Sequence, residues 1–403
     1  MSRDASSSSS PSPSPSSLDT YRRVLSGNIR ALDGARGCAI LMVLAHNFNL
    51  LSEPSGRLGR LVDWAADLGW IGVQLFFVLS GFLITGGLVD SRLSGGYLRA
   101  FFGRRVLRIF PVYYATLIVA FVLLPLVTAN APDGRHQVWL WTYLANWAAP
   151  TGREVPAFPH FWSLAVEEQF YLVWPFVVRA LAPPRLLRLC VGLVVGALVL
   201  RAGLLAAGVS SEAVYMWTIC RMDALAAGAA LAILLRTASG PAVLERRWRW
   251  VTAGTALLAL VTFVVTRGLP RASVPTQTLG YSMLTVVFTY VLFAAVRAEV
   301  RGRQGGLRPA LARILGVAPL RSVGKVSYGM YVFHLPLHAF LSARVLARWG
   351  PGGLGVGGAV FYAVAATLLT YGAAMLSYHL FEKRFLALKH RFTIARAPAP
   401  GPA

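Results

Sequence analysis

Long apolar runs alternate with short polar segments along nearly the whole chain. Runs of about 20 apolar residues, the length that crosses a membrane as a helix, can be placed at ten positions. They lie at about 37–52, 70–89, 109–129, 160–178, 189–207, 214–235, 250–266, 276–296, 326–346 and 356–380. The pattern therefore predicts an all-α integral membrane protein, a bundle of about ten transmembrane helices.

The two ends of the chain differ from this pattern. Residues 1–19 are rich in Ser and Pro and lack an apolar core, which is typical of a disordered tail and not of a signal peptide. We therefore predict a disordered cytoplasmic tail over 1–29 and one membrane domain over 30–392. A flexible tail is predicted for 393–403.

Composition and charge agree with a membrane protein whose termini are both cytoplasmic. The chain has 403 residues, of which 56% are hydrophobic and 14% charged, and its net charge is +23. With the N-terminus inside, 29 of the 39 Lys and Arg residues fall in cytoplasmic segments and 8 in external ones. This asymmetry follows the positive-inside rule and predicts a multi-pass protein of the cytoplasmic membrane.

The excess positive charge does not indicate a nucleic-acid-binding protein. No basic groove with interleaved aromatic residues is visible in the sequence. The charge also suits contact with anionic membrane lipids. Three scattered cysteines, Cys38, Cys190 and Cys220, have neither metal-ligand nor disulfide spacing, so we expect no metal site and interpret them as packing residues.

The first apolar segment contains two ionisable residues, in the stretch LDGARGCAILMVLAHNF. Arg36 lies at its start and His46 lies about 15 Å further along a helix. Ionisable groups inside a membrane are costly and usually face a functional interior. His46 is therefore a candidate general base, since imidazole titrates near neutral pH. A histidine hydrogen-bonded between helices is the structural alternative.

Two further clusters follow. In GVQLFFVLSGFLIT, the small residues Ser80 and Gly81 predict a close approach of neighbouring helices. In FFGRRVLRIFPVYY, Arg105 and Arg108 share one helix face by their i,i+3 spacing. Guanidinium groups placed in this way can bind phosphates, although positive-inside anchoring is the simpler explanation.

A fourth cluster, HFWSLAVEEQFYLVWP, carries two adjacent carboxylates. A helix places His160, Glu167 and Trp174 on one stripe at seven-residue steps, and Glu168 lies about 100° away. We therefore expect Glu167 to matter more than Glu168. An interhelical ion pair is the structural alternative.

Two other polar segments are interpreted as structural. Arg221 and Asp223 in RMDALAAG are two residues apart, so we expect each to pair with another helix. The run GKVSYGMYVFHLPLH places Ser327, Tyr328 and His334 where the chain enters the membrane.

In this order and spacing, the clusters resemble the membrane acyltransferase-3 family of polysaccharide and small-molecule O-acyltransferases. The motifs are LDGARG…H, FFVLSGFLI, RRVLRIFPVYY, FWSLAVEEQFYLVWP, RMDALAAG and VSYGMYVFHLPL, and SYHLFEKRF is similar to the closing segment of the family. The resemblance covers about residues 29–385. It implies transfer of an acyl group, commonly acetyl, from cytoplasmic acyl-CoA to a hydroxyl, often on a sugar.

The resemblance also implies roles for individual residues. By motif match, the essential Arg and His of the first span are Arg36 and His46. The paired arginines after the second span are Arg105 and Arg108, and the glutamate of the fourth span is Glu167.

One departure concerns the first span. The family usually has ten residues between the Arg and the His, whereas this chain has nine, and Asn47 holds the usual position. Ten steps of about 100° leave Arg36 and His46 about 80° apart on a helix. Either Arg36 lies at a flexible helix start or a local bulge restores the alignment.

We therefore expect acyl-CoA to dock at the cytoplasmic face as a donor substrate, with no bound cofactor. Its phosphates would contact Arg36, Arg105 and Arg108. Glu167 would orient His46, which would take the proton of the acceptor hydroxyl. The residues expected to line or support the pore are Asp33, Ser80, Ser163 and Tyr171.

The acceptor remains open among cell-wall glycan, lipopolysaccharide, a lipid-linked sugar and a secreted glycosylated metabolite. Some longer members of the family carry an extracellular hydrolase-like domain, which we do not expect in this protein. Transfer would then go directly to the acceptor or through separate glycan-assembly proteins. The alternatives are a secondary transporter, a membrane glycosyltransferase using Asp63 and Asp67, and an inactive acyl-binding protein.

Overall fold

The computed structural model describes residues 17–27, 29–51, 56–128, 131–303, 310–349 and 354–392. Within these ranges the chain is helical and contains no β-strand. Its ten longest helices are α1 (Arg30–Asn47), α2 (Ile71–Ser91), α3 (Tyr97–Ile118), α4 (Phe161–Ala180), α5 (Pro183–Ala206), α6 (Thr218–Leu234), α7 (Trp248–Val265), α8 (Tyr281–Arg303), α9 (Ser327–Trp349) and α10 (Val356–Ser377).

Shorter helical segments connect or extend the long helices. The short α-helices are Ser17–Leu25, Gly56–Asp67, Leu124–Val127, Val138–Trp141, Ala145–Ala148, Ser211–Met216, Gly240–Arg246, Ala310–Leu315, Ala318–Lys325 and Lys383–Ala387. The 3₁₀ turns are Leu68–Trp70, Ala149–Thr151 and Leu388–Phe392. The π-helical turns are Val119–Leu123, Thr276–Gly280 and Tyr378–Glu382.

The described helices make this a multi-pass membrane protein. Seven continuous helical stretches are long and apolar enough to cross a membrane: Gly56–Ser91, Tyr97–Val127, Pro183–Ala206, Ser211–Leu234, Trp248–Val265, Thr276–Gly302 and Val356–Phe392. The helices α1, α4 and α9 are not among these stretches. Each of the three carries polar residues that border the same cavity, described below. The predicted total of ten spans, and the cytoplasmic placement of both termini, stay predictions.

Part of the predicted N-terminal tail is ordered. Ser17–Leu25 is a helix in which Tyr21 and Val24 are buried. The Tyr21 hydroxyl donates a hydrogen bond of 2.9 Å to Glu245, which ties this helix to the short helix Gly240–Arg246 before α7. Because an apolar side of the segment packs against the bundle, the disorder predicted from composition does not extend over these residues. The positions 1–16 and 393–403 lie outside the described residues.

Helix α2 lies at the centre of the bundle. It packs against α1, α4, α6 and α8. Its contact with α6 depends on glycine, since a Cβ atom on Gly81 would lie 1.9 Å from the carbonyl oxygen of Leu225. A Cβ atom on Gly228 of α6 would likewise lie 2.0 Å from the carbonyl oxygen of Val78. The close approach predicted at Ser80–Gly81 is therefore present. It places neighbouring residues of α2, Ser80 among them, beside the cavity described below.

Candidate functional site

A cavity lies between α1, α2, α3, α4 and α9. It contains about 910 Å³ of empty space, including the part that opens to solvent. Apolar side chains of α2, such as Phe76 and Phe77, form much of one wall. The charged and hydroxyl-bearing residues that line the cavity are Arg36, Ser80, Arg105, Arg108, Ser163, Glu167, Glu168, Tyr171, Ser327, Tyr328 and Tyr331. The bundle thus gathers polar groups from five separate parts of the sequence.

Three arginines border this cavity. Arg36 forms an ion pair of 3.2 Å with Asp33, one turn earlier on α1. Arg105 lies over the ring of Tyr171, with 4.9 Å between its guanidinium carbon and the ring centroid. Among the described residues, no carboxylate forms an ion pair with Arg105 or Arg108. Within the described ranges, Arg105 and Arg108 thus have no ion-pair partner of their own, although the Glu167 and Glu168 carboxylates lie in the same cavity, and the two guanidinium groups suit an anionic ligand.

Glu167 lies in the same cavity and has a defined partner. The Ser80 hydroxyl of α2 donates a hydrogen bond to the Glu167 carboxylate of α4. This contact joins α2 to α4. The carboxylate oxygen is therefore held in a fixed position beside the cavity.

Glu168 also lines the cavity, although the stripe argument predicts that it faces away. Neighbours 100° apart on a helix can both border an opening that is wider than one side chain. In the part of the chain that the structure describes, the Glu168 carboxylate has no hydrogen-bonded partner. Both carboxylates of the EE pair are therefore available to the site.

His46 does not lie among the cavity-lining residues. Its Nδ1 is 3.5 Å from an Asp67 carboxylate oxygen, close to the other end of α1 from Arg36. The helix α1 runs without a bulge from Arg30 to Asn47, so nothing restores the alignment of Arg36 with His46. Asn47 donates to the carbonyl oxygen of Val43 at 2.8 Å. The structure therefore does not bring His46 and Glu167 together, and the catalytic role of each stays a prediction.

The other predicted site residues also fall into two groups, those that line the cavity and those that do not. Ser163 and Tyr171 line the cavity, as does Ser80. Asp33 does not line it and instead supports Arg36. Ser327 and Tyr328, interpreted from sequence as structural, are cavity residues. The signal for them was their position in a polar segment at the start of a span.

Arg221 and Asp223 belong to a separate buried network. Arg201 of α5 is 2.8 Å from the Asp223 carboxylate, and both side chains are fully buried. Arg221 donates to Gln74 of α2 at 2.5 Å. The prediction that each residue pairs with another helix is confirmed.

Comparisons with known proteins agree with this arrangement. The sequence profile of the acyltransferase-3 family, an acyltransferase domain, matches residues 29–379. The chain is 26% identical over 374 residues to the peptidoglycan O-acetyltransferase OatA of Listeria monocytogenes, covering 88% of this chain and 55% of that protein. It is 24% identical over 376 residues to the O-acetyltransferase OatA of Staphylococcus aureus, covering 87% and 56%.

The chain spans about half the length of the curated relatives it matches. No matching solved structure was found. The matched region contains α1 to α10 almost completely, including every helix that borders the cavity. Because the profile covers well over half of the chain, the protein belongs to the acyltransferase-3 family.

Proposed function

We propose that this protein is an integral membrane O-acyltransferase. It transfers an acyl group, acetyl in the simplest case, from cytoplasmic acyl-CoA to a hydroxyl of a carbohydrate acceptor. Peptidoglycan is the first acceptor to test, because the Listeria relative is named for it. The observation that carries the proposal is one cavity in which arginines without paired carboxylates lie beside the Ser80–Glu167 pair.

The charges in the cavity indicate where the acyl-CoA donor would bind. Acyl-CoA carries several phosphate groups, and a guanidinium binds a phosphate through two parallel N–H donors. Arg105 and Arg108 have no ion-paired carboxylate in the described chain, so a phosphate would not have to displace one. Arg36 keeps Asp33 as a partner and would contribute a weaker net attraction. The docking of the CoA moiety at these residues is therefore electrostatically favourable.

The carboxylates would stabilise the positive charge that develops during acyl transfer. A hydroxyl that attacks a thioester must lose its proton, and the base that takes this proton becomes positively charged. In a medium of low dielectric constant, a nearby carboxylate stabilises that positive charge strongly. We assign this role to Glu167, which Ser80 holds in place, and expect Glu168 to contribute less because no described residue donates a hydrogen bond to its carboxylate.

The function is tested by following a labelled acetyl group. The purified protein, reconstituted in vesicles, is given acetyl-CoA labelled in the acetyl group and soluble peptidoglycan fragments. We expect label in the glycan as an alkali-labile ester. Movement of label or of glycan across the vesicle without ester formation would instead indicate a transporter and would reject the proposal.

The role of the carboxylate is tested in the same assay. Glu167→Gln keeps the shape and a hydrogen-bond acceptor for Ser80 but removes the negative charge. We expect kcat to fall about 10²-fold, which corresponds to about 2.7 kcal/mol of transition-state stabilisation. The matched control is Glu168→Gln, for which we expect a smaller loss. Equal losses would contradict the distinction between a held and an unheld carboxylate.

A further inference from the structure

Two buried histidines lie in contact just beyond the cavity. His160 immediately precedes α4 and His334 lies on α9, and their ring centroids are 4.6 Å apart in an edge-to-face arrangement. Only 6% of His160 and 0% of His334 is exposed. We call these two residues the histidine pair. Neither was assigned a role in the reaction by motif.

Each ring has one nitrogen with a partner and one without. His160 Nε2 lies 3.3 Å from the carbonyl oxygen of Val332, and His334 Nδ1 lies 2.6 Å from the carbonyl oxygen of Tyr331. A carbonyl oxygen can only accept, so these two nitrogens carry the hydrogens. In neutral imidazole the second nitrogen is then a lone-pair acceptor.

The two acceptor nitrogens have no donor. His160 Nδ1 and His334 Nε2 are buried, and no hydrogen-bond partner is present for either among the described residues. Buried polar atoms are nearly always satisfied in native proteins, so two unsatisfied acceptors on adjacent rings call for an explanation. These two nitrogens suit a ligand that donates a hydrogen bond from a hydroxyl group.

The pair lies behind the wall of the cavity, and neither ring is among the residues that line it. Ser163 and Tyr331 line the cavity, and their hydroxyl oxygens are 2.5 Å apart. His160 precedes Ser163 by three residues, and His334 follows Tyr331 by three. The Tyr331 hydroxyl also donates to the backbone carbonyl oxygen of His160 at 3.1 Å, and the Tyr331 ring centroid is 5.3 Å from that of His334. Both histidines are therefore in contact with a residue of the cavity wall.

The pair lies toward the opposite end of the site from the arginines. On α1, Arg36 borders the cavity, whereas Phe48, twelve residues later, packs against His334 with 6.2 Å between ring centroids. Twelve residues of helix correspond to about 18 Å. A donor bound by its phosphates at the arginines would extend its thioester toward the histidines.

We propose that the histidine pair is the general base that accepts the proton of the acceptor hydroxyl. This rests on the proposed function. The acceptor O–H would donate to a free ring nitrogen, and its proton would move to that nitrogen as the oxygen attacks the thioester carbonyl. The C–O bond forms, the C–S bond breaks, and the imidazolium returns the proton to the CoA thiolate. Ester, CoA thiol and neutral imidazole result.

Two substitutions each remove the ring nitrogen that has no partner. They keep the hydrogen bond that the other ring position donates to a backbone carbonyl oxygen. The amide nitrogen of glutamine occupies the position of Nε2, so His160→Gln can still donate to Val332. The amide nitrogen of asparagine occupies the position of Nδ1, so His334→Asn can still donate to Tyr331. Neither amide can accept a proton at neutral pH. We expect each variant to lower kcat about 10²–10⁴-fold while the KM for acyl-CoA stays near that of the unaltered protein.

Controls separate a loss of the base from a loss of the fold. His338→Asn changes a neighbouring histidine whose Nδ1 already has the Tyr362 hydroxyl at 2.8 Å, and it should keep kcat. His160→Asn and His334→Gln place the amide nitrogen at the wrong ring position, so they report the cost of losing the structural bond. Thermal unfolding in detergent and binding of a CoA thioether are measured for all five variants.

The outcomes distinguish this proposal from the proposed function. An unaltered protein that transfers no acyl group from acyl-CoA would reject both. If the unaltered protein is active, then wild-type kcat in His160→Gln and His334→Asn would overturn the pair as the base. A raised donor KM with unchanged kcat would also overturn it, as would a kcat loss that appears equally in His338→Asn. A kcat loss in both variants with unchanged thioether binding and thermal stability would support it.

Discussion

Two groups of charged residues lie inside this helical bundle, and they differ in what surrounds them. Around Arg201 and Asp223 the charges are paired with each other and fully enclosed. Around Arg105 and Arg108 the charges border an open cavity and have no ion-paired carboxylate among the described residues. The same residue types therefore form part of the architecture in one place and a candidate ligand site in the other.

The enclosed group has its partners within the protein. Besides Asp223, Arg201 donates to the carbonyl oxygen of Cys220 at 2.6 Å and to the Ser282 hydroxyl at 2.9 Å. Arg221 beside it has Gln74 as a hydrogen-bond partner and lies 4.5 Å from the ring centroid of Tyr281. Charges enclosed in this way connect α5, α6 and α8.

The comparison teaches that an ionisable residue inside a membrane bundle is informative about function only once its partners are known. A motif alone would treat RMDALAAG and RRVLRIF alike, because both place arginines next to apolar spans. The structure separates them, because one group borders a cavity and the Arg201–Asp223 pair of the other is fully buried. This difference can be tested through stability in one group and donor binding in the other.

The largest effect is expected from breaking the enclosed pair. Asp223→Asn leaves the Arg201 charge buried without its counter-ion, which typically costs about 3–5 kcal/mol. We expect a large fall in the thermal unfolding temperature of the detergent-solubilised protein. The matched control is Asp90→Asn, which breaks the half-exposed pair with Arg236 and should cost about 0–1 kcal/mol. Similar losses in both variants would contradict the structural role of the enclosed pair.

A smaller, specific effect is expected in the cavity. Arg105→Lys and Arg108→Lys keep the positive charge but remove the planar pair of donors. We expect the KM for acyl-CoA to rise by an amount equivalent to about 1–2 kcal/mol per site, with little change in the acceptor KM or in thermal stability.

The control for this change lies next to the site. Arg104 is adjacent in sequence but does not line the cavity, so Arg104→Lys should leave the donor KM unchanged. If all three lysine variants have unaltered donor kinetics, these arginines serve only as positive-inside anchors.

The smallest effect is expected at His46. The motif predicts that His46→Ala abolishes transfer, whereas the structure places this ring beside Asp67 and outside the cavity. We expect transfer within about twofold of the unaltered protein, because we place no contact with the reacting groups at this ring and only interactions with the transition state change the rate. Initial rates at saturating acyl-CoA measure this directly. A complete loss with normal folding would restore His46 as the base and count against the histidine pair.

Much of the fold was accessible from the sequence. The ten predicted apolar segments correspond to the ten longest described helices, with ends that differ by several residues; the helix α1, for example, begins at Arg30 and not near 37. An apolar run of sufficient length favours a helix whatever its neighbours are, since every backbone polar group must be satisfied within the segment. The docking of Ser17–Leu25 was not accessible, because it depends on a distant partner, Glu245.

Only part of the candidate site could be predicted from the sequence. Motif order pointed to Arg36, Arg105, Arg108 and Glu167, and the structure brings these four to one cavity. Glu168 was expected to face away from the cavity, whereas it lines the cavity in the structure. Helical periodicity gives the angle between two side chains but not the width of the opening that they border.

What the sequence by itself determined is the apolar segmentation, the charge asymmetry and the family, because each depends on residues read along one segment or one motif. Tertiary structure alone decided which polar side chains share a space. His46 and Glu167 lie apart because an unbroken α1 turns His46 toward Asp67, while His160, just before α4, meets His334 of α9 beside the cavity wall. Such contacts join residues from distant parts of the chain, so no local pattern encodes them; helix packing creates them.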